Sequence, residues 1–299
     1  MSEPYQILGV WDEWVRDPED MGSKKKFWFR FPGEPQGYWL FKFPKDNTGE
    51  HWAEKIAAEL AVLLNIECAK VELATFGNEQ GSICRAFTGV GQELVHGNQM
   101  LARFIQGYDP DKTFGHSYHT LTNIWTVMEN VFMENVAVME AKRRLAEYIV
   151  LDALIGNTDR HHENWGILRR YVDGSWKGFV APSFDHASSL GRELQDVRRD
   201  MYLTENRVGN YANKGRGAIY WSEDSKRGPS PLGLVRQAIG TYPDVILPVK
   251  QKLEKLDIGA IKDIVNRMPH GWMSSTAKEF AAALLCYNFQ QLQELFSRQ

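Results

Sequence analysis

Several large classes of protein are excluded by what this chain has little of. Only three of its 299 residues are cysteine, Cys68, Cys84 and Cys286, and none stand in C-x-x-C spacing. That argues against a disulfide framework or a zinc knuckle and fits a reducing compartment. Long apolar runs are also missing. The most apolar late window, Glu279 to Phe289, is far shorter than the ~20 residues needed to span a bilayer. No sign of charge dominates: the formal net charge is −3, with 24% charged residues. A protein whose whole face is basic for nucleic acid is thereby excluded, though not a local basic groove. The opening MSEPYQILGVWDEW has no basic start followed by an apolar run, so no signal peptide is expected. Repeats and low-complexity tracts are absent. These absences predict a soluble cytoplasmic protein with no membrane contact and no direct nucleic-acid binding.

What is present is core material. Apolar residues make up 43% of the chain, enough for two lobes. Residues 27–31, FWFRF, and 38–43, YWLFKF, read as two strands joined by the turn PGEPQG. Trp52, Ile56, Leu60, Leu63 and Leu64 then recur at helical spacing. AKVELATF and GSICRAF form a second strand pair around GNEQG. Residues 1–90 are therefore expected to be a small β-rich lobe with one helix, and residues 91–299 a larger, mainly helical lobe. In the second lobe, helical stretches are expected over 97–108 and 117–135. An amphipathic helix through Leu145, Tyr148, Ile149 and Leu151 ends at Gly156-Asn157, residue types suited to a left-handed cap. WGILRR and WKGFVAPSFDHAS read as short strands. Residues 192–232, rich in Gly, Asn, Arg and Lys, are expected to be a long loop with little regular structure. Helices follow over ILPVKQKLEKL and GAIKDIVNRM, and a last one is opened by Thr276 and Glu279 in capping-box spacing.

Between the long helix and WGIL lies LIGNTDRHHENWGIL, residues 154–168. Asn, Thr and Asp after a helix are common loop formers. Here the polar residues are held between apolar flanks, which a simple turn does not require. Metal hydrolysis could use Asp159, His161 and His162, but adjacent histidines on an extended chain point to opposite faces, and no HExxH helix accompanies them. A Ser-His-Asp hydrolase lacks its GxSxG turn.

Phosphoryl transfer needs a base at the acceptor hydroxyl, oxygen ligands for Mg²⁺, a lysine on the phosphates and a covering loop. Asp159 and Asn164 stand in D-x-x-x-x-N spacing, and Asp185 follows an apolar residue in SFDHASS. Lys42 lies on a strand face with Tyr38 and Leu40, opposite Trp39, Phe41 and Phe43. Gly22 and Ser23 precede that hairpin in DMGSKKKFW.

These residues resemble the HipA-like family of bacterial serine/threonine protein kinases. NTDRHHENWGIL is similar to the family's N-x-D-R-H-x-x-N-W/F catalytic segment, FDHASSLG to its metal-binding segment, and FKFP…AEKIAAELAVLLNIECAKVEL to its lysine strand, helix and following strand. The resemblance covers roughly residues 20–299. It implies an α+β, two-lobe kinase-like fold with ATP and Mg²⁺ as cofactors. It makes Asp159 the catalytic base, Asn164 and Asp185 the metal ligands and Lys42 the phosphate clamp. It places Gly22 and Ser23 in the phosphate loop, His161 near the nucleotide and adenine at a hinge around Arg85–Phe87. Glu54 is favoured as partner of Lys42, while helical geometry keeps Glu59 open, on the stripe of Trp52 and Leu63. The family also implies autophosphorylation of the loop serine, Ser23, a protein substrate, and a toxin or effector setting with an antitoxin-type partner. The chain reads as a short form without the family's N-terminal subdomain.

Lipid or small-molecule kinases share the D-R-H-x-x-N … D-H wording, and a nucleotide-binding pseudokinase is a third reading. The intact Lys42, Asp159, Asn164 and Asp185 set argues against the last. Two further features carry double readings. Asp152 bonds the loop below its helix or has a role in the site. Residues 198–227 hold seven Lys/Arg against four Asp/Glu and are either a solvated loop or a substrate-docking surface.

Overall fold

The computed structural model describes residues 2–18, 25–34 and 37–298, so Gly22 and Ser23 lie outside the described residues. Two strands that periodicity did not announce come first, β1 (Ile7–Val10) and β2 (Val15–Pro18). The expected hairpin follows as β3 (Lys26–Arg30) and β4 (Tyr38–Lys42), in which every second residue is buried. Phe27, Phe29, Trp39 and Phe41 thereby gather with Phe43 and Ile83 on one face, and Phe27 stacks on Phe41 at 5.2 Å. Helix α1 (Glu50–Leu63) starts at Gly49, where a side chain cannot fit, since a Cβ would lie 1.9 Å from the Trp52 ring. Ile56 and Leu60 of α1 are fully buried, each contributing about 1.5–3 kcal/mol. Strands β5 (Val71–Phe76) and β6 (Glu79–Arg85) complete a sheet ordered β1-β5-β6-β4-β3-β2, with β1 parallel to β5 and the other pairs antiparallel. Lys42 emerges on the face opposite the aromatic cluster, toward α1.

The second lobe opens with β7 (Glu93–His96), α2 (Gly97–Phe104) and α3 (Leu121–Val131). Its spine is α4 (Asn135–Ile155), which ends on Gly156 at φ 68°, a left-handed cap. Two strands, β8 (Gly166–Val172) and β9 (Ser175–Val180), pair with β7 in the order β7-β8-β9. The lobe is thus an α+β unit whose helices bury Leu145, Tyr148, Ile149 and Leu151 in the main core.

The expectation of an irregular 192–232 is corrected. The segment carries α5 (Asp196–Thr204) and α6 (Val208–Lys214), and α7 (Pro231–Thr241) begins within it. Tyr202 and Val208 pack with Phe280 and Leu284, so apolar contacts with the last helix override a loop-like composition. ILPVKQKLEKL is not one helix. It is split among α8 (Pro243–Ile246), a 3₁₀ turn at Leu247–Val249 and α9 (Lys250–Leu253). After α10 (Ile258–Asn266), α11 (Ser275–Ser297) is capped by Ser274, whose hydroxyl accepts from Ala277 N–H. Thr276 therefore sits inside the first turn, and the expected cap there is corrected.

Candidate active site

Strand alternation and helix phase bring Lys42 to Glu54. The ammonium donates to Glu54 Oε1 at 2.9 Å and lies 3.5 Å from Asp185 Oδ1. Glu54 is 2% exposed and the Lys42 side chain 13%, so this charge group is largely out of water. Burial works against the ammonium, but Asp185 and Glu54 outweigh it and hold its pKa above the ordinary lysine value. Ser82 on β6 donates to the other Glu54 oxygen at 3.4 Å. Glu59 is engaged elsewhere: with Glu72 it accepts from the buried Lys55, at 2.6 and 2.7 Å.

The left-handed turn at Gly156 redirects the chain into the polar cluster. Asn157 donates to Asp152 Oδ1 at 2.8 Å and accepts the Asp159 N–H at 3.0 Å, which fixes the backbone entering the site. Arg160 turns inward. It clamps Asp152 with two 2.8 Å bonds, and Nη1 reaches the carbonyls of Asn164, at 2.7 Å, and Phe184, at 3.2 Å. One buried guanidinium thus joins α4, the 157–164 segment and the segment holding Asp185. Asn164 donates to the Asp159 carbonyl at 2.7 Å, which leaves its amide oxygen as the free donor for a cation. Asp185 sits at φ 56°, a left-handed conformation that Asp adopts more readily than most residues.

Asp159 is oriented from the far side. Ser188 donates to its Oδ2 at 3.2 Å, and Arg192 donates to Ser188 at 3.0 Å while pairing with Glu50 at the start of α1 at 2.9 Å. A continuous polar chain therefore runs from the first lobe to Asp159. His161 packs edge-on against Phe114 at 6.2 Å and accepts the Glu163 N–H at 3.2 Å. At the end of β6, the N–H groups of Arg85 and Ala86 are taken by the carbonyls of Lys70 and Tyr38, each bond short of 3 Å at 2.9 and 2.8 Å. The Phe87 ring meets Phe184 at 5.4 Å.

Sequence reasoning missed Ser183, His186, Ser188 and Arg192, whereas Asp152 bonds the loop below its helix, one of its two expected readings. His186 is fully buried, and burial holds its pKa well below the ordinary value, so the ring is neutral. Ser183 accepts from Arg160 at 3.0 Å and meets His186 Nε2 at 2.7 Å. The available signal was Asp152 and Arg160, opposite charges eight residues apart between apolar flanks.

The donors suit a hard cation. Asp185 supplies a carboxylate and Asn164 an amide oxygen, and Mg²⁺ is commonly held by one or two protein oxygens with water and substrate phosphates filling the rest. Among the described residues no group of three His, Cys, Asp or Glu is arranged to hold a metal by itself. Lys42, Glu54 and Asp185 meet directly; Arg160 joins the carbonyls of Asn164 and Phe184, the latter next to Asp185, and Asn164 bonds the Asp159 carbonyl. Phe87 meets Phe184, the neighbour of Asp185, Arg85 ends β6 with its side chain exposed, and His161 lies between Asp159 and Asn164 in the chain.

Residues 21–230 match the HipA-like C-terminal domain. The chain is 26% identical over 267 residues to the serine/threonine-protein kinase CtkA of Helicobacter pylori (strain J99), a span of 88% of this chain and 76% of that protein. The crystal structure of a Helicobacter pylori proinflammatory kinase CtkA superposes with a TM-score of 0.80 at 21% identity, covering 98% of this chain and 97% of the other. HipA in the Shewanella oneidensis MR-1 toxin–antitoxin complex with HipB and operator DNA gives 0.58 at 12% identity, covering 95% and 65%. At these identities the two structural likenesses carry the fold.

Proposed function

The chain belongs to the HipA-like C-terminal domain family, and from that premise we propose that it is a serine/threonine protein kinase using ATP and Mg²⁺. The observation that carries the reading is the Lys42–Glu54–Asp185 group set beside Asp159 and Asn164. Lys42, held charged and positioned by Glu54, binds the nucleotide phosphates. Asp185 and Asn164 would hold the cation, which would supply charge neutralisation on the substrate phosphates. Asp159, oriented by Ser188, accepts the proton of the acceptor hydroxyl as that oxygen attacks the γ-phosphorus and ADP leaves. Arg160 keeps the catalytic and cation-binding segments in register, so less ordering is needed at the moment of reaction.

The family supports a bacterial cytoplasmic protein as substrate, a toxin or effector setting, an antitoxin-type partner, and autophosphorylation at Ser23. Labelled ATP offered to separate protein and lipid pools tests the central reading. Label in Ser/Thr of protein, lost in Asp159→Asn, is the expected result. Label confined to lipid, or transfer unchanged in the variant, overturns it.

A further inference from the structure

One basic turn beside the catalytic segment has no part in the nucleotide chemistry described above. Residues 214–216, Lys-Gly-Arg, close α6 and press on the residue before the base: a Cβ on Gly215 would lie 3.2 Å from Thr158 Cγ2. The turn is held from both ends. Asn213 donates to the Gly209 carbonyl at 2.8 Å and to Tyr287 of α11 at 2.9 Å. Downstream, Gly217 N–H bonds the Pro229 carbonyl at 2.8 Å, and Ala218 accepts from His119 at 2.9 Å.

Lys214 and Arg216 are exposed on this fixed backbone. Arg216 is steadied by its own turn, donating to the carbonyls of Asn213 and Gly215 at 3.2 Å each. Neither cation has a carboxylate partner among the described residues. Three neighbouring acids are engaged elsewhere: Glu193 accepts from Tyr211 at 2.8 Å, Glu205 pairs with Arg207 at 2.7 Å, and Glu50 pairs with Arg192 at 2.9 Å. A charged surface residue is usually only solvated. These two differ in standing either side of Gly215, which packs on Thr158 next to the base, with no carboxylate partner among the described residues. An acidic group on an acceptor relieves their mutual repulsion and is steered toward the site.

We infer that Lys214 and Arg216 are specificity-determining residues that select acceptor segments carrying Asp or Glu beside the phosphorylated Ser or Thr. The inference rests on the kinase reading and adds the substrate class. The test uses the full chain and peptides with a single Ser, flanked in turn by Asp/Glu, Ala or Lys/Arg. Acid-flanked peptides should exceed alanine ones by about three- to tenfold in kcat/KM, with the gain in KM because the contact is made equally before and during transfer. Lys214→Glu with Arg216→Glu should invert the preference toward basic flanks and leave the KM for ATP unchanged. The wild-type preference should shrink between ~0.1 M and ~1 M salt, as the screening length falls from about 10 to about 3 Å. A flat or basic preference in wild type, an unaltered preference in the double variant, or a change confined to ATP KM overturns the inference while the kinase reading stands. Failure to phosphorylate any peptide or protein would sink both.

Discussion

Glu54 and Asp185 meet on one ammonium: Lys42 Nζ lies 2.9 Å from the first and 3.5 Å from the second. One carboxylate comes from α1 in the first lobe and the other from the segment after β9 in the second, so this ammonium joins the two lobes. Glu54→Gln should therefore lower kcat/KM for transfer by about 10²-fold, in the range of a lost electrostatic stabiliser. Glu59→Gln should leave transfer within a few-fold and instead lower stability by about 1–2 kcal/mol, because the buried Lys55 loses one of its two half-buried carboxylate partners. Steady-state kinetics and urea melts on the two variants distinguish these outcomes. Equal kinetic losses would remove the assignment of Glu54.

Asp159→Asn should fold and bind ATP, yet lose transfer by about 10²–10⁴-fold, the usual scale for a general base. The side chain keeps its bond from Ser188 through the retained carbonyl oxygen. Turnover surviving within a few-fold would exclude Asp159 as the base.

Asp185→Ala should abolish cation-dependent nucleotide binding, since Asn164 alone offers only a neutral oxygen. With ATP and Mg²⁺ at a hundredfold excess over Kd, the wild type should gain about 2.7 kcal/mol of stability. Thermal melts with and without ligand check this. A variant with the same ligand shift would show that the cation is held elsewhere.

Asp152→Ala removes the carboxylate clamped by Arg160 and leaves that guanidinium buried without its charge partner. The expected cost is about 3–5 kcal/mol, measured by urea unfolding at neutral pH. A loss under 1 kcal/mol would show that the pair does not organise the lobe.

Acid should destabilise the fold through histidines. Burial pushes His119 down to about 3, and His162 and His51 down to about 4. These rings are neutral in the native state and take up protons on unfolding. Their contribution is fully present above pH ~6.5 and is lost as pH falls toward 4, at up to about 1.4 kcal/mol per unit for each ring. Urea midpoints measured from pH 7 to pH 4.5 should fall, and His119→Gln should flatten the slope. An unchanged slope in that variant would show that the ring is not the titrating group.

Much of this protein was readable in its residue order because the signals are local. Alternating aromatics define β3 and β4, the period of Trp52, Ile56 and Leu60 defines α1, and Gly156 ends α4. Short-range sterics and periodicity decide such elements before any distant contact forms. The D-x-x-x-x-N spacing of Asp159 and Asn164 was visible for the same reason. Tertiary structure decided what depends on partners far along the chain. The helices α5 and α6 exist because Tyr202 and Val208 find Phe280 and Leu284 on α11, and strand β1 because its hydrogen bonds are met by β5, more than sixty residues later. The choice of Glu54 over Glu59 depended on where Lys55, Glu72 and Lys42 came to rest, and the inward turn of Arg160 on Asp152 and two carbonyls from separate segments. A buried charge takes the orientation that satisfies most of its hydrogen bonds, and those bonds are counted in three dimensions.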